Sequence, residues 1–158
     1  RRFTGSRELP AGGIPPTTTF FGEPTPATDP STWRVAVTGA VERPGSWALD
    51  ALRALGEADL TAILDCTSGW WIETGWRGVP LGAVLLAAGV TPGARRVEVR
   101  AVTGWSTTLS IDEARRCLLA TGVAGSELLA GNGAPLRLVA PDRRGLDWVK
   151  WVDRIEVA

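Results

Sequence analysis

The chain of 158 residues contains no histidine, no tyrosine and no methionine, and it has only two cysteines and one lysine. Without histidine there can be no Ser-His-Asp triad and no imidazole metal ligand. Cys66 and Cys117 cannot form a zinc site by themselves, and one disulfide is not essential to a domain of this size. Triad hydrolases and zinc enzymes are therefore excluded.

Charge and hydropathy exclude two further classes. The 17 basic residues balance the 17 acidic ones, so the chain lacks the basic surface that nucleic-acid binders use against phosphates. Nearly all the basic residues are arginines, which suit bidentate binding of oxyanions. No apolar run reaches the roughly 18 residues of a membrane span. Because the chain begins at Arg1 without a methionine, we interpret it as a piece of a longer protein.

The sequence divides into an extended N-terminal arm, residues 1–31, and a body, residues 32–158. The arm is rich in Pro, Gly and Thr, which is typical of irregular structure. In the body, alternating apolar residues predict strands, and short helical spacings or caps predict helices. The predicted strands are 33–39, 60–65, 96–102, 135–140 and 148–157, and the predicted helices are 50–55, 81–88 and a short one opening at 110–113. Strands outnumber helices, so the prediction is an α+β fold, mostly β, with mixed sheets and short helices.

Cys66 ends a predicted strand and precedes a small polar turn followed by two tryptophans. A thiol in that place can face a ligand, and thiolates bind soft metals. A lone cysteine is also compatible with an idle buried thiol, which is how we interpret Cys117. The chain has eight tryptophans. We expect core or edge positions for Trp33, Trp47 and Trp151, and loop positions that offer a flat stacking surface for Trp70, Trp71, Trp76 and Trp105.

Polar residues in the C-terminal third supply the other candidates. Asn132 lies in a glycine loop. Arg137 alternates with Leu136 and Leu138, so its own pattern predicts a solvated charge. The turn containing Arg143, with Lys150 downstream, is either an anion-binding site or an ordinary exposed basic turn.

The order of these motifs resembles the molybdopterin-binding domain of the sulfite oxidase family. The resemblance covers roughly residues 33–157, and it is closest to the bacterial branch that includes periplasmic methionine-sulfoxide reductases. Residues 1–6 look like the linker of members that carry an N-terminal membrane segment. The segments that carry the resemblance are 64–70, 76–81, 132–141, Gly145 and 148–152.

The resemblance implies a sulfite-oxidase-type fold and a molybdenum–molybdopterin cofactor (Moco). It makes Cys66 the thiolate ligand of molybdenum, with Thr67, Ser68 and Trp70 lining the substrate side of the metal. The pterin and its phosphate would be held by a second group: Asn132, Arg137, Arg143, Trp148 and Lys150.

The function implied is oxygen-atom transfer to or from a small sulfur- or nitrogen-centred substrate. Sulfite oxidases carry a histidine where Asn132 stands and an arginine-rich pocket beside the thiolate, whereas this chain has Trp70 nearby. That difference favours a neutral sulfoxide or N-oxide over sulfite. The asparagine found near the start of the reductase branch has no match here.

The implied partners are a small oxo donor or acceptor and a membrane or soluble haem or quinone protein, without nucleic acid. The second, dimerisation domain of eukaryotic sulfite oxidases is missing, so we expect a monomeric domain. We expect it outside the cytoplasm, tethered by an N-terminal membrane segment. The alternative is a non-catalytic, extracytoplasmic, tryptophan-rich binding module on the same fold that has lost the cofactor.

Overall fold

The computed structural model describes residues 5–19 and 22–158, and the first four residues of the linker predicted at residues 1–6 lie outside this range. Its strands are β1 (Arg7–Glu8), β2 (Arg34–Gly39), β3 (Gly45–Ala48), β4 (Ala58–Cys66), β5 (Trp70–Pro80), β6 (Arg96–Ala101), β7 (Ser106–Ser110), β8 (Leu118–Val123), β9 (Ser126–Glu127), β10 (Arg137–Val139) and β11 (Val152–Val157). Its α-helices are α1 (Leu49–Arg53), α2 (Leu81–Ala88) and α3 (Ile111–Arg115). The predicted α+β class with short helices is confirmed.

The strands form two mixed sheets. In the first, β5 lies between β4 and β8, β1 also pairs with β5, and β9 and β10 pair with β8. The second has the order β3-β2-β11-β6-β7. Two pairings are parallel, β1 with β5 and β11 with β2, and the rest are antiparallel. The first sheet carries the candidate site, while the second closes the core behind it.

The hairpin of β4 and β5 fixes the position of the thiol. The strands pair from Ala58 with Gly78 to Cys66 with Trp70. The turn between them closes through the Gly69 N–H, which donates to the Cys66 carbonyl at 3.2 Å. Gly69 has φ +102°, a left-handed conformation that glycine adopts without a steric penalty. The predicted strand end at the thiol is confirmed.

Both predicted helix signals are also confirmed. Gly89 ends α2 with φ +72°, and its N–H bonds to the carbonyl of Leu85. At the start of α3, Ser110 accepts from the N–H of Glu113, and the Glu113 carboxylate accepts from the N–H of Ser110. This reciprocal pair satisfies two N–H groups that a helix start leaves unbonded.

Other predicted elements were wrong. Trp70, Trp71 and Trp76 lie in strand β5 and not in loops. Sequence periodicity missed this strand because two of its inward positions, Thr74 and Gly78, are not apolar and break the alternating pattern. Residues 148–151 are not part of the last strand, which begins at Val152. Trp151 has φ +52°, so the backbone cannot continue as an extended strand there.

The described part of the arm lies against the body. Arg7 and Glu8 pair in parallel with Trp70 and Trp71, and the Leu9 N–H continues the contact to the Trp71 carbonyl at 2.9 Å. The division between an arm of residues 1–31 and a body from residue 32 stays a prediction. Across the described ranges, no helix combines the length and apolar character needed to span a membrane.

Candidate active site

Cys66 lies at the end of β4 and is 5% exposed. It lines a cavity of about 30 Å³ together with Leu64, Trp70 and Gly145, among others. Gly145 packs on the strand so closely that a Cβ there would lie 3.4 Å from the Cys66 Cα and 3.1 Å from the Asp65 carbonyl oxygen. The glycine therefore keeps open the space beside the thiol.

Arg137 reaches the same cavity from β10 and is only 2% exposed. Its guanidinium donates to the Asn132 carbonyl at 2.9 Å and to the Trp148 carbonyl at 3.2 Å. It also lies 5.3 Å from the ring centre of Trp76. Burial lowers the pKa of Arg137 to about 10, which the nearby Cys66 partly opposes. The predicted solvated charge was wrong, because the tryptophans provide a buried face on which a guanidinium stacks.

One donor of this buried arginine is unused. The Arg137 Nε is buried and has no hydrogen-bond partner within the described part of the chain. A buried N–H of a charged group costs free energy when it is left unpaired. The position of Nε therefore predicts an acceptor other than the residues that the structure describes.

Lys150 is the second cation that lines the cavity. Its Nζ donates to the carbonyls of Thr18 and Gly131, both at 2.6 Å, and lies 5.5 Å from the ring centre of Trp151. Burial, and then the positive charge of Arg137, lower the pKa of Lys150 to about 8. Two cations that repel each other thus line the same cavity as the Cys66 thiol.

Asn132 is 1% exposed in a short 3₁₀ turn after β9. Its Nδ2 donates to the Pro15 carbonyl at 3.0 Å. Its Oδ1 is buried without a donor within the described residues. Like Arg137, this side chain has one polar atom that is not satisfied by the protein.

The arm forms part of the site, which sequence reasoning missed. Pro16 and Thr18 line the cavity at Cys66, and Thr18 also lines a neighbouring cavity of about 50 Å³. The two cavities share Thr18, Gly145 and Lys150. The neighbouring cavity continues past Glu23 and three tryptophans: Trp105, Trp148 and Trp151. Nothing in the run of threonines in the arm signalled this role.

Trp148 and Arg143 take different positions relative to these cavities. Trp148 is buried, its ring makes an edge contact with Trp76, and its indole N–H donates to the Arg143 carbonyl. The Arg143 guanidinium instead binds Glu113 at 3.0 Å and the Thr108 carbonyl at 3.2 Å. The structure therefore does not bring the Arg143 side chain together with Cys66, because the guanidinium is bound to the Glu113 carboxylate.

The three residues predicted beside the thiol differ in their contacts. Trp70 lines the cavity, half-buried, opposite Cys66 in the hairpin register. The Ser68 Oγ lies 3.0 Å from the Cys66 Sγ. Thr67 is exposed in the same turn.

Asp65 connects the loop after β10 to the strand that carries the thiol. It is fully buried, and its Oδ1 lies 3.4 Å from a guanidinium nitrogen of Arg144 and 3.4 Å from the Ser6 hydroxyl. Because Arg144 precedes Gly145, this contact holds the glycine against Cys66. Sequence reasoning did not single out Asp65.

Together these residues have the chemistry that an anion carrying a soft metal would require. Neither Arg137 nor Lys150 forms a salt bridge with any residue that the structure describes. Residues 5–19 and 22–158 contain no cluster of three or more His, Cys, Asp or Glu side chains that could hold a metal. A metal at Cys66 must then bring most of its ligands with it, as a metal–pterin does through its own sulfurs. The residues present fit such a group.

The family model for the oxidoreductase molybdopterin binding domain matches residues 22–158. The chain belongs to this family. The catalytic subunit MsrP of the protein-methionine-sulfoxide reductase from Xanthomonas campestris is 34% identical over 163 aligned residues, covering 86% of this chain and 51% of the relative. The MsrP of Gluconobacter oxydans is 30% identical and is covered to 52%. This molybdopterin-binding domain therefore spans about half the length of the curated relatives it matches.

A solved structure gives the same fold. The sulfane dehydrogenase SoxCD from Paracoccus pantotrophus superposes with a TM-score of 0.80 at 23% identity, over 84% of this chain and 40% of that one. At this identity the similarity establishes the fold alone. The predicted sulfite-oxidase-type fold is confirmed for the molybdopterin-binding domain.

Proposed function

We propose that this domain is a Moco-dependent oxidoreductase that transfers an oxygen atom to or from a sulfur-centred substrate. One observation carries the proposal: the Cys66 thiol, the buried Arg137 and the half-buried Lys150 line one cavity, and neither cation forms a salt bridge with a described residue. Family membership supplies the identity of the cofactor, and the names of the relatives point to sulfur chemistry.

Cys66, Arg137 and Lys150 line the cavity, and Asn132 and Trp148 contact Arg137 behind it. The Cys66 thiolate binds molybdenum, because sulfur is a ligand suited to a soft metal. The free Nε of Arg137 and the Lys150 ammonium hold the negatively charged phosphate through charge-assisted bonds. The free Oδ1 of Asn132 accepts from an N–H of the pterin. Trp148 orients Arg137 through its carbonyl and its ring. Arg143 is left out of this set.

Cofactor loading requires the arm to move. The two cavities hold about 30 and 50 Å³, whereas sites for small organic ligands usually hold at least about 300 Å³. The outer wall is formed by Pro16 and Thr18, whose segment is held by carbonyl contacts to Asn132 and Lys150. An anionic cofactor offers those two side chains stronger acceptors than neutral carbonyls. The Asn132 amide and the Lys150 ammonium can therefore release the carbonyls of the arm and bind the cofactor in their place.

When bound, the cofactor supplies the oxygen-atom transfer and the accompanying two-electron redox change. The protein orients it, shields it from water and shapes the space in which the substrate lies. Trp70 forms an apolar wall next to Cys66, which suits a neutral sulfoxide better than a doubly charged anion. Sulfoxide reduction is therefore the direction that we favour.

The partners and location follow from the same proposal. A one-electron carrier, either a haem or a quinone protein, exchanges electrons with the domain. We place the domain outside the cytoplasm as a monomer, with a membrane tether N-terminal to this sequence. The competing function is a tryptophan-rich binding module that keeps the fold without the cofactor.

Metal analysis separates the two functions. Protein purified from a host that makes Moco should contain about one molybdenum per chain, since it has one thiolate site. Cys66→Ser should lose it, whereas Cys117→Ser should keep it. Wild-type protein without molybdenum and without extractable pterin would contradict the enzyme and favour the binding module.

The direction of transfer needs its own assay. With a reduced viologen dye as electron donor, the domain should reduce methionine sulfoxide faster than it oxidises sulfite with ferricyanide as acceptor. Turnover of sulfite alone would overturn the preference for sulfoxides while leaving the cofactor assignment intact.

A further inference from the structure

Ser68 makes a contact that the hairpin turn does not require. The turn is already closed by the backbone bond from the Gly69 N–H to the Cys66 carbonyl. Ser68 is exposed, yet its Oγ folds back to lie 3.0 Å from the buried Cys66 Sγ. A serine hydroxyl at an exposed turn normally bonds to water or to the backbone. Its contact with the sulfur therefore points to a role at the thiol.

The direction of this hydrogen bond follows from the chemistry of the sulfur. In a neutral thiol, either atom can be the donor. A thiolate that binds a metal has no proton, so the Ser68 hydroxyl must donate and the sulfur must accept. A hydrogen bond to an ionised acceptor is also stronger than one between neutral groups.

We propose that Ser68 is a positioning residue that sets the reduction potential of the metal through the Cys66 thiolate. This proposal rests on the proposed function, since it takes Cys66 as the metal ligand. The donated proton draws electron density toward the Ser68 side of the sulfur, so the thiolate gives less charge to the metal. Hydrogen bonds to ligand sulfurs are a recognised determinant of metal potentials. A less donating thiolate favours the reduced metal and raises its potential.

The same contact orients the sulfur. Cys66 has one rotatable bond between its backbone and its sulfur, and the bond to Ser68 restricts it. Since Trp70 and Arg137 line the same cavity, a fixed sulfur keeps the metal at a constant place between the substrate wall and the buried cation. Loss of the hydroxyl should therefore affect both the potential and the uniformity of the site.

Two pairs of variants test the role of the hydroxyl. Ser68→Ala removes it, and Ser68→Thr keeps it. Ser68→Val compared with Ser68→Thr repeats the test at nearly constant shape, so the experiment does not depend on one variant keeping its cofactor. Ser126→Ala, in the exposed strand β9, is the matched control for loss of a serine.

The readout is the midpoint potential of the Mo(VI)/Mo(V) couple, measured by potentiometric titration followed by electron paramagnetic resonance. We expect a shift to more negative potential in Ser68→Ala and Ser68→Val, with altered g values and broader lines. Ser68→Thr and Ser126→Ala should match the wild type. A purely structural role would change the melting temperature without this pattern.

Two results would overturn the proposal, and they have different meanings. If the wild type holds molybdenum but the hydroxyl-free variants keep its potential and spectrum, the role of Ser68 is refuted and the proposed function stands. If the wild type binds no molybdenum, the proposed function itself fails and takes this inference with it.

Discussion

The two buried cysteines lie in regions that differ in how their charged and polar groups are paired. Cys66 faces a cavity with Arg137 and Lys150, where buried donors and acceptors remain unpaired. Cys117 lies just after α3, and its thiol donates to the Glu113 carbonyl at 3.2 Å. Burial raises the pKa of Cys117 to about 12, so this thiol stays protonated. One sulfur borders a cavity, and the other is packed against the helix that precedes it.

The arginines of the two regions show the same difference. Arg143 binds Glu113 at 3.0 Å, and its hydrogen bonds lower the pKa of that carboxyl to about 2. Arg137 is buried more deeply, and its acceptors among the described residues are two backbone carbonyls. A buried cation without a counter-ion costs stability unless something else compensates it. The Cys66 region, here called the site region, therefore holds a buried cation without a described carboxylate partner, whereas the cation of the Cys117 region is paired with Glu113.

The largest expected effect comes from removing one arginine from each region. Arg137→Met should lower cofactor affinity by about 10- to 100-fold, because a hydrogen bond to a charged group contributes about 1.5–3 kcal/mol. Arg143→Met should keep the cofactor and lose at most about 1 kcal/mol of stability, since its ion pair is partly exposed. Molybdenum and pterin content after extensive dialysis measures the first effect, and urea unfolding measures the second. Equal cofactor loss in both variants would remove the distinction between the regions.

A second prediction concerns the close packing of Gly145 against the strand that carries Cys66, instead of charge. In Gly145→Ala, the new methyl group would lie 3.1 Å from the Asp65 carbonyl oxygen and 3.2 Å from a Leu64 methyl. Overpacking of this kind usually costs about 1–3 kcal/mol. We expect molybdenum content to fall several-fold, because the loop must move away from Cys66. Gly75→Ala is the control, since a Cβ at position 75 meets nothing within 4 Å.

Much of the local structure on which these regions are built could be predicted from the sequence. The strand end at Cys66, the stop at Gly89 and the cap at Ser110 follow from short-range rules that act over a few residues. The glycine loop around Asn132 was also singled out, although its contact with Pro15 spans 117 residues of sequence. Local patterns therefore located the ends of elements and the loops, whereas the roles of the site residues stay a prediction.

The remainder depends on tertiary contacts that no local pattern contains. Arg137 was expected in solvent because it alternates with leucines, but all three residues of β10 are buried even though this strand lies at the end of its sheet. Arg143 was grouped with the cofactor residues, and its partner Glu113 lies 30 residues away. The role of Thr18 depends on an arm that crosses the site, so only the folded chain shows it.

The third prediction compares the cysteines directly in cofactor-free protein. Cys117→Ala should cost about 1 kcal/mol, because it removes a packed sulfur and leaves a small void in the core. Cys66→Ala should cost less, since its sulfur borders a cavity already. The midpoints of urea unfolding measure both. A larger loss for Cys66→Ala would mean that this sulfur contributes mainly to packing.

The smallest expected effect is a pH dependence of the unfolding free energy. The site region should show it at alkaline pH, and the Cys117 region at acidic pH. The folded-state pKa of Lys150 is about 8, below its ordinary value of 10.5. Between these values the unfolded chain binds the proton more tightly than the folded one, so this group makes stability rise with pH. The contribution is at most about 1.4 kcal/mol per pH unit. Glu113, with a lowered pKa, instead stabilises the fold above its ordinary value of 4.5, and this contribution is lost as the pH falls toward about 2.

Lys150→Met isolates the contribution of the site region. Between pH 8 and 9, the unfolding free energy of cofactor-free wild type should rise more steeply than that of the variant, because only the wild type carries the Lys150 ammonium with its lowered pKa. In the loaded protein, the bound anion keeps Lys150 charged, so the difference in slope should disappear. A slope difference that persists unchanged after loading would mean that the anion lies away from Lys150, and the phosphate would then have to be assigned to Arg137 alone.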